Sequence, residues 1–419
     1  MDRSELIQTD MMRTASASTS QVSADAMIRR FLVWAEISDL KSYDWWDLWG
    51  FPFGRWAKTQ YVRGNVLGYG AVAFLTAVDL VAPWIRRFFV EQRTFPICHA
   101  QMALGYVQLW KSTGNRLWLE KAEALVEPLL AMASPAAHGL GWGMKHEWTT
   151  VRGVIPPDTP CNTQTAYPYE LFCALYEATG NERYQKILAD IAAHVANDFR
   201  EWHMDDRLAC SYSTIDEARV VNANSYRMMM MLEAGKRFTN TMYHEKGLAT
   251  LRYVLSMQRD DGSWPYAEDQ DFVDTYHTCF VLKNLRKAAT ILEGDCPDVE
   301  QAVARGLEYF NSRHFDRNGY PLPFSVAPRL VLQRYDAYDL AETISLLSSL
   351  EGEEKRVAHL LEFAQQWFQT AEGWFIFRVY AGNLIRGIPY MRYANSAMFL
   401  ALSTIPVSST TPRTNDPDH

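Results

Sequence analysis

Two stretches decide how this chain is read: WKSTGNRLWLEKA, residues 110–122, and YEATGNERYQKIL, residues 176–188. Each is an apolar run that ends in a glycine, followed by an asparagine and a second amphipathic run. Glycine accepts the left-handed backbone that ends a helix, and an asparagine side chain takes up the free N–H groups that begin the next one. The tract therefore predicts a helical hairpin. Gly235 in LEAGKRF, Gly294 in ILEGDCP and Gly352 in LEGEEKR punctuate later apolar runs in the same manner. The intervals among Gly114, Gly180, Gly235, Gly294 and Gly352 are 66, 55, 59 and 58 residues. That spacing fits one hairpin plus a long connector, repeated.

Working outward, first helices fall near 97–112, 163–178, 219–234, 276–292, 335–350 and 390–404, and second helices near 115–132, 182–199, 242–257, 297–313 and 353–369. The second set is one short. Its missing member must come from the amino-terminal part, through residues 25–38 or the apolar segment 62–92. A helix from one end that partners the other end closes the array into a ring. The expectation is an all-α (α/α)6 toroid of six helical hairpins, with residues 25–405 forming one domain. An open helical solenoid with a concave groove is the competing arrangement. Residues 1–24 and 406–419 are rich in Ser, Thr and other polar residues without periodicity and are expected to be disordered.

The connectors repeat as well. GWGMKHEW (141–148), RLACSYS (207–213), DGSWPYA (261–267), NGYPLPF (318–324) and EGWFIFR (372–378) mostly pair a glycine turn with extended aromatic residues. They predict short β-ribbon excursions. All precede first helices, so in a closed ring they gather on one face.

Composition excludes several functions. A net charge of −8 argues against nucleic acid, which requires a basic surface. The longest apolar stretch, residues 66–90, carries Asp79, Pro83, Arg86 and Arg87, so no membrane span is expected. The start of the chain lacks the basic-then-apolar layout of a secretion leader, and a cytoplasmic location is the expectation. Six cysteines, at 98, 161, 173, 210, 279 and 296, form no CxxC pair and read as free thiols. No nucleotide loop or metal motif is present, and neither cofactor nor metal is expected. Aromatic content of 13%, with 14 tryptophans, suits a binding cleft as well as a core.

Polar groups crowd the starts of the first helices. In DDGSWPYAEDQDFVDTYHT, residues 260–278, Trp264 and Tyr266 precede Asp274, Tyr276 and His277. Asn222, Asn224 and Arg227 open another unit, Asp336 and Asp339 a further one, and Arg392 the last. YDWWDLWGFPFGRW, residues 43–56, adds Trp46, Asp47 and Arg55 as either a packed plug or a sugar-stacking wall. Asp274 reads as a helix cap or as an acid, and His277 as a structural histidine or a base. Converging groups of this kind suit a polyhydroxylated sugar. His277 or Tyr276 would be the base and Asp274 its acid or orienting group. Arg227 or Arg392 with Asn224 would neutralise a sugar carboxylate, and Asp336 with Asp339 offer the paired carboxylates that hydrolysis requires. Trp264, Tyr266, Asn222, Trp46, Asp47 and Arg55 would bind substrate.

VNANSYRMMMMLEAGKRF (221–238), LRYVLSMQRDDGSWPYAEDQDFVDTYHTCFVLKNL (251–285), YFNSRHFDRNGYPLPF (309–324) and PYMRYANSAMFLALS (389–403) together resemble a bacterial six-hairpin family encoded in exopolysaccharide and capsule biosynthesis clusters. The likeness covers residues 40–404 and is most specific at DGSWPY followed by DTYHT. Tyr43, Asp44 and Asp47 match a YDxxD element of that family, although the stretch here is richer in tryptophan. The resemblance implies the fold of six-hairpin glycosidases, polysaccharide lyases and sugar epimerases. It also implies a role in making or modifying a surface polysaccharide, with a sugar or oligosaccharide as substrate and a polysaccharide synthesis complex as associate. Two other readings stay open. QRDDGSW, residues 258–264, resembles the QW-type repeat of terpenoid cyclases acting on isoprenoids, and the chain also suits a non-catalytic glycan-binding subunit.

Overall fold

The computed structural model describes residues 23–405 apart from 151, 152, 295, 329, 330 and 386. The two ends expected to be disordered lie outside the described residues, save for Ser23 and Ala24, where the first helix begins.

Helix α1 spans Ala24–Ser38, and α2 (Pro52–Val62) and α3 (Val66–Val81) form a hairpin of their own. The repeating units follow. The first helices are α4 (Pro96–Thr113), α7 (Asn162–Thr179), α9 (Val221–Arg237), α11 (Thr275–Ile291), α13 (Ala337–Leu347) and α15 (Ser396–Ser403). The second helices are α5 (Arg116–Ala124) continued by α6 (Val126–Ala131), then α8 (Glu182–Asn197), α10 (Thr241–Ser256), α12 (Pro297–Arg313) and α14 (Glu354–Trp367). Each first helix packs on the next, and α15 packs back on α4, so the inner circle is closed. The solenoid alternative fails on that contact.

The local reasons are those written in the hairpins. Gly114 and Gly180 end α4 and α7 at φ 70° and 65°, and Asn115 and Asn181 accept the N–H groups of Leu117 and Arg183 at 3.0 Å. Gly235 differs. It lies inside α9, where a Cβ would meet the backbone of His244 at 2.7 Å, so it permits close helix approach and the stop falls at Thr239, φ 50°.

Helix α1 supplies the missing second helix. Three connector glycines each press on the backbone of the following second helix: Gly139 on Asp190 of α8, Gly262 on Arg305 of α12 and Gly373 on Arg30 of α1. A glutamine repeats the same lesson. Gln258 Nε2 donates to Gly262 O and to Ala302 O of α12, and Gln369 Nε2 donates to Gly373 O and to Met27 O of α1. In this ring α1 stands to its connector as α12 does two units earlier. Of the two segments considered for that place, 25–38 fills it and 62–92 does not.

The strands are short antiparallel pairs: β1 (Ser134–Pro135) with β2 (Leu140–Gly141), β3 (Trp148–Thr150) with β4 (Gly153–Ile155), and β5 (Glu201–Met204) with β6 (Arg207–Cys210). The last two pairs, β7 (Val273–Asp274) with β8 (Phe324–Val326) and β9 (Gln333–Asp336) with β10 (Arg378–Tyr380), link neighbouring units. Strands β7 and β9 run straight into the first turns of α11 and α13. One continuous apolar cluster reaches from Met27 to Leu402, and a small separate one holds Leu48, Trp49, Ala57 and Leu75 beside the α2–α3 hairpin.

Candidate active site

The inner circle surrounds a cavity of about 140 Å³, comparable with one that holds a single six-membered ring. Five of the six first helices contribute their openings to the wall. The second residue of five of them lines it: Ile97, Thr163, Asn222, Tyr276 and Tyr338. One turn further, the sixth residue follows on the same face in three helices, as Tyr167, Tyr226 and Phe280. Arg392 and Tyr393 precede α15, and Trp46, Met144, Trp148, Tyr212 and Tyr266 come from the connectors. Seven of the seventeen lining residues are tyrosines. The wall is therefore aromatic with hydroxyl tips, which suits a ring having apolar faces and polar edges.

Asp274 is both a cap and an orienting group. Its Oδ1 accepts the His277 backbone N–H at 3.1 Å, and its Oδ2 lies 2.6 Å from His277 Nδ1. Held this way, the imidazole keeps Nε2 for the cavity that His277 lines. Tyr266 and Tyr276 flank the ring, with centroids at 4.9 and 4.1 Å. Burial raises the Tyr276 hydroxyl well above the usual tyrosine range, and the Asp274 charge adds to this. Asn222, which opens the neighbouring helix α9, also lines the cavity, with its Oδ1 buried and without a protein donor. A buried acceptor left open beside a cavity is a place for a ligand hydroxyl.

Arg392 is fixed by a residue that sequence reasoning passed over as a site. Asp44 accepts Arg392 Nε at 2.6 Å and Nη2 at 2.7 Å, a bidentate pair buried from solvent. His146 Nε2 lies 3.4 Å from the same Nη2, and its ring stacks on Trp46 at 5.7 Å. Burial, then the Arg392 charge, brings the His146 pKa down to about 3, so the imidazole is neutral. Nη1 is the guanidinium nitrogen that neither partner takes. The following residue, Tyr393, stands at φ 72°, a costly conformation for a bulky side chain. Its ring lines the cavity, and its hydroxyl accepts Trp46 Nε1 at 3.0 Å. Below them Tyr226, Tyr167 and Glu342 form a hydrogen-bonded chain at 3.4 and 3.3 Å, and Glu342 pairs with Lys283.

The other sequence candidates lie elsewhere. Trp264 is core: its Nε1 donates to Val254 O at 3.0 Å and its ring packs on Gly306, so it reaches only a minor side pocket next to Asp274. Asn224 bridges Cys210 N and O, and Arg227 pairs with Glu201; both are buried outside the cavity wall. Asp336 caps α13 through Tyr338 N and bonds Arg378 at 2.6 Å. Asp339 accepts Tyr276 N at 3.1 Å, so it caps α11 from the neighbouring helix. Burial, then Asp336 and Asp274, holds Asp339 well above the usual carboxylate range. Asp47 joins Arg93 and completes the cap with Asp44; burial and the Asp44 charge bring its pKa up to about 6. Arg55 is exposed and lies 3.7 Å from Glu147. Among the described lining residues of the main cavity there is no aspartate or glutamate.

Comparison with models of protein families and with curated protein sequences gave no match. Solved structures do match. A cellobiose 2-epimerase from Bacillus thermoamylovorans B4167 superposes with TM-score 0.59 at 9% identity, over 74% of this chain and 87% of that one. A sugar epimerase from a ruminal bacterium gives 0.54 at 14%, over 75% and 88%. A family 88 glycosyl hydrolase from Bacteroides vulgatus gives 0.52 at 13%, over 79% and 97%. At these identities the likeness establishes the fold alone, an (α/α)6 toroid.

Proposed function

We infer that the protein is a glycan-modifying enzyme that moves a proton on a sugar unit held in the toroid cavity, by epimerisation or β-elimination. The observation that carries this is His277, backed by Asp274, on a cavity wall rich in tyrosine and without a carboxylate among its described lining residues. Hydrolysis through two carboxylates requires an acid and a base flanking the bond, and Asp336 and Asp339 are used as helix caps behind the wall. Proton abstraction beside a carbonyl or carboxylate requires one base and a cation for the charge that develops. His277 Nε2 takes the proton. Arg392, set by Asp44, faces the resulting negative charge, and the open Asn222 Oδ1 receives a ring hydroxyl. In epimerisation a tyrosine hydroxyl of the wall gives a proton to the other face of the same carbon, and in elimination the C–O bond to the glycosidic oxygen breaks, that oxygen takes a proton from a wall tyrosine hydroxyl, and a double bond is left. The carbohydrate-active enzymes that share the fold, and the resemblance to exopolysaccharide-cluster proteins, support a substrate that is a unit of a bacterial surface polysaccharide.

The test is incubation with neutral and uronic-acid oligosaccharides in deuterated water, read by NMR and ultraviolet absorbance. Deuterium at one sugar carbon, or a new unsaturated product, is expected. His277→Ala should reduce either by about a hundredfold or more at unchanged melting temperature. Glycosidic cleavage without deuterium uptake and indifferent to His277→Ala overturns the reading, as does a response confined to polyprenyl diphosphates. Sugar binding without any product assigns the chain to the glycan-binding, non-catalytic class.

A further inference from the structure

The α2–α3 hairpin is built the wrong way round for a helix of a water-soluble surface. Along α3 and the short turn after it, Val66, Gly70, Ala73, Ala77, Val81 and Trp84 follow one another at steps of three or four, and all six are exposed. The opposite face, with Gly68, Leu75 and Asp79, is the one packed inward. Leu67 is 68% exposed, Phe74 61% and Phe89 67%. Of the nineteen large apolar side chains exposed among the described residues, ten lie between Phe53 and Phe89. A contiguous apolar face of that kind marks a surface that another body covers.

Charge says which body. Between residues 50 and 90 the sequence holds Arg55, Lys58, Arg63, Arg86 and Arg87 against a single acid, Asp79, in a chain whose net charge is −8. Asp79 is matched internally by Arg86 at 2.5 Å, both buried. What surrounds the apolar face is cationic, and exposed Trp56, Tyr69 and Trp84 supply the aromatic residues that settle at a lipid headgroup level. A second copy of this chain would bring the same cations face to face. The hairpin is also too short to cross a bilayer: sixteen residues of α3 reach about 24 Å against a hydrocarbon layer of about 30 Å. No helix among the described residues is long and apolar enough to span one.

We propose that the α2–α3 hairpin seats the toroid on an anionic lipid surface, lying in the interface with its apolar face among the acyl chains and its arginine and lysine side chains at the headgroups. The seat adjoins the cavity. Lys58 of α2 lies 5.2 Å over the Trp46 ring, and α2 packs against β3, which carries Trp148. Both tryptophans line the cavity wall, so docking brings the cavity wall to the membrane face.

The full chain, and the double variant Leu67→Glu/Phe74→Glu, are to be sedimented with vesicles of phosphatidylcholine alone and of phosphatidylcholine mixed with phosphatidylglycerol. Both residues are exposed, and circular dichroism checks that the variant is folded. The native chain should pellet with the mixed vesicles, about tenfold less with phosphatidylcholine alone, and less again at high salt. The folded variant should stay in the supernatant. Failure of the native chain to bind mixed vesicles, or equal binding by the variant, overturns the proposal. Ultracentrifugation decides the rival occupant: a native dimer that the variant converts to monomer, with no vesicle binding by either, makes the face a contact between two copies.

Discussion

His314 shows how one side chain ties the site to solvent conditions. It is fully buried, its Nδ1 lies 2.7 Å from Thr275 Oγ1 in the first turn of α11, and burial lowers its pKa to about 3. Folded, it is neutral; unfolded, it takes a proton below its ordinary pKa of 6.5. The unfolded state therefore binds more protons as pH falls from 6.5 towards 3, and stability is lost in that window and intact above it. Between pH 7 and 5 this one group removes roughly 2 kcal/mol. In His314→Gln that part of the acid loss should disappear, so urea midpoints at pH 5 and pH 7 should lie closer together than in the native chain. An unchanged gap would mean that His314 is already charged in the fold. At this scale the sequence was half legible. Asp274, Tyr276 and His277 stand within four positions, so their proximity could be read directly. The Asp44–Arg392 pair joins residues 348 apart, and nothing local marks Asp44 over Asp47 as the partner of a cation that enters from the other end of the chain. The tyrosines at the sixth helical position carry a weak signal, an aromatic at the same place in α7, α9 and α11, which becomes visible only once the helix starts are aligned.

Among the elements, the connectors decide closure, and their glycines are unequal. Gly373 stands at φ 101° with Arg30 O only 2.2 Å from where a Cβ would be, and the nearby backbone cannot retreat without moving α1. Gly114 stands at φ 70° with nothing within 4 Å. Gly114→Ala should cost about 1 kcal/mol, the strain of a left-handed alanine. Gly373→Ala adds a backbone collision and should cost at least ~2 kcal/mol more. Thermal unfolding of the two variants measures the difference, and equal losses would remove the seam between Gly373 and α1 as a structural constraint. Helix positions were legible to within a few residues because glycine stops and asparagine caps act locally. The start of α15 was not: residues 391–395 form a wide turn, closed by Asn395 N to Tyr390 O at 3.2 Å, where a regular helix was expected from 390. That turn delivers Arg392 and Tyr393 into the cavity, so local regularity gave way at the place where side chains must point inward.

For the molecule as a whole, the two ends of the described chain make one structure. Met27, Ile28, Phe31, Leu32 and Ala35 of α1 are buried, and Phe31 meets Phe375 and Phe399 at 5.9 and 5.5 Å. Phe399 in turn packs on Tyr106 and fills the space over Gly105 of α4. Helix α15 is thus gripped between α1 and α4, and the turn before α15 holds Arg392 and Tyr393 at the cavity. Burying four large apolar side chains contributes on the order of 8 kcal/mol, which is the size of a whole domain's stability. Deleting residues 1–38 should therefore abolish the cooperative melt and the near-ultraviolet signal of the packed aromatics, where an open solenoid would lose one terminal helix and keep the rest. Adding the peptide 24–38 in trans should restore both signals, because it returns the same face to Phe375 and Phe399. A truncated chain that melts like the native one would mean that α1 decorates the ring, and the closure through Gly373 and Gln369 would then carry no stability.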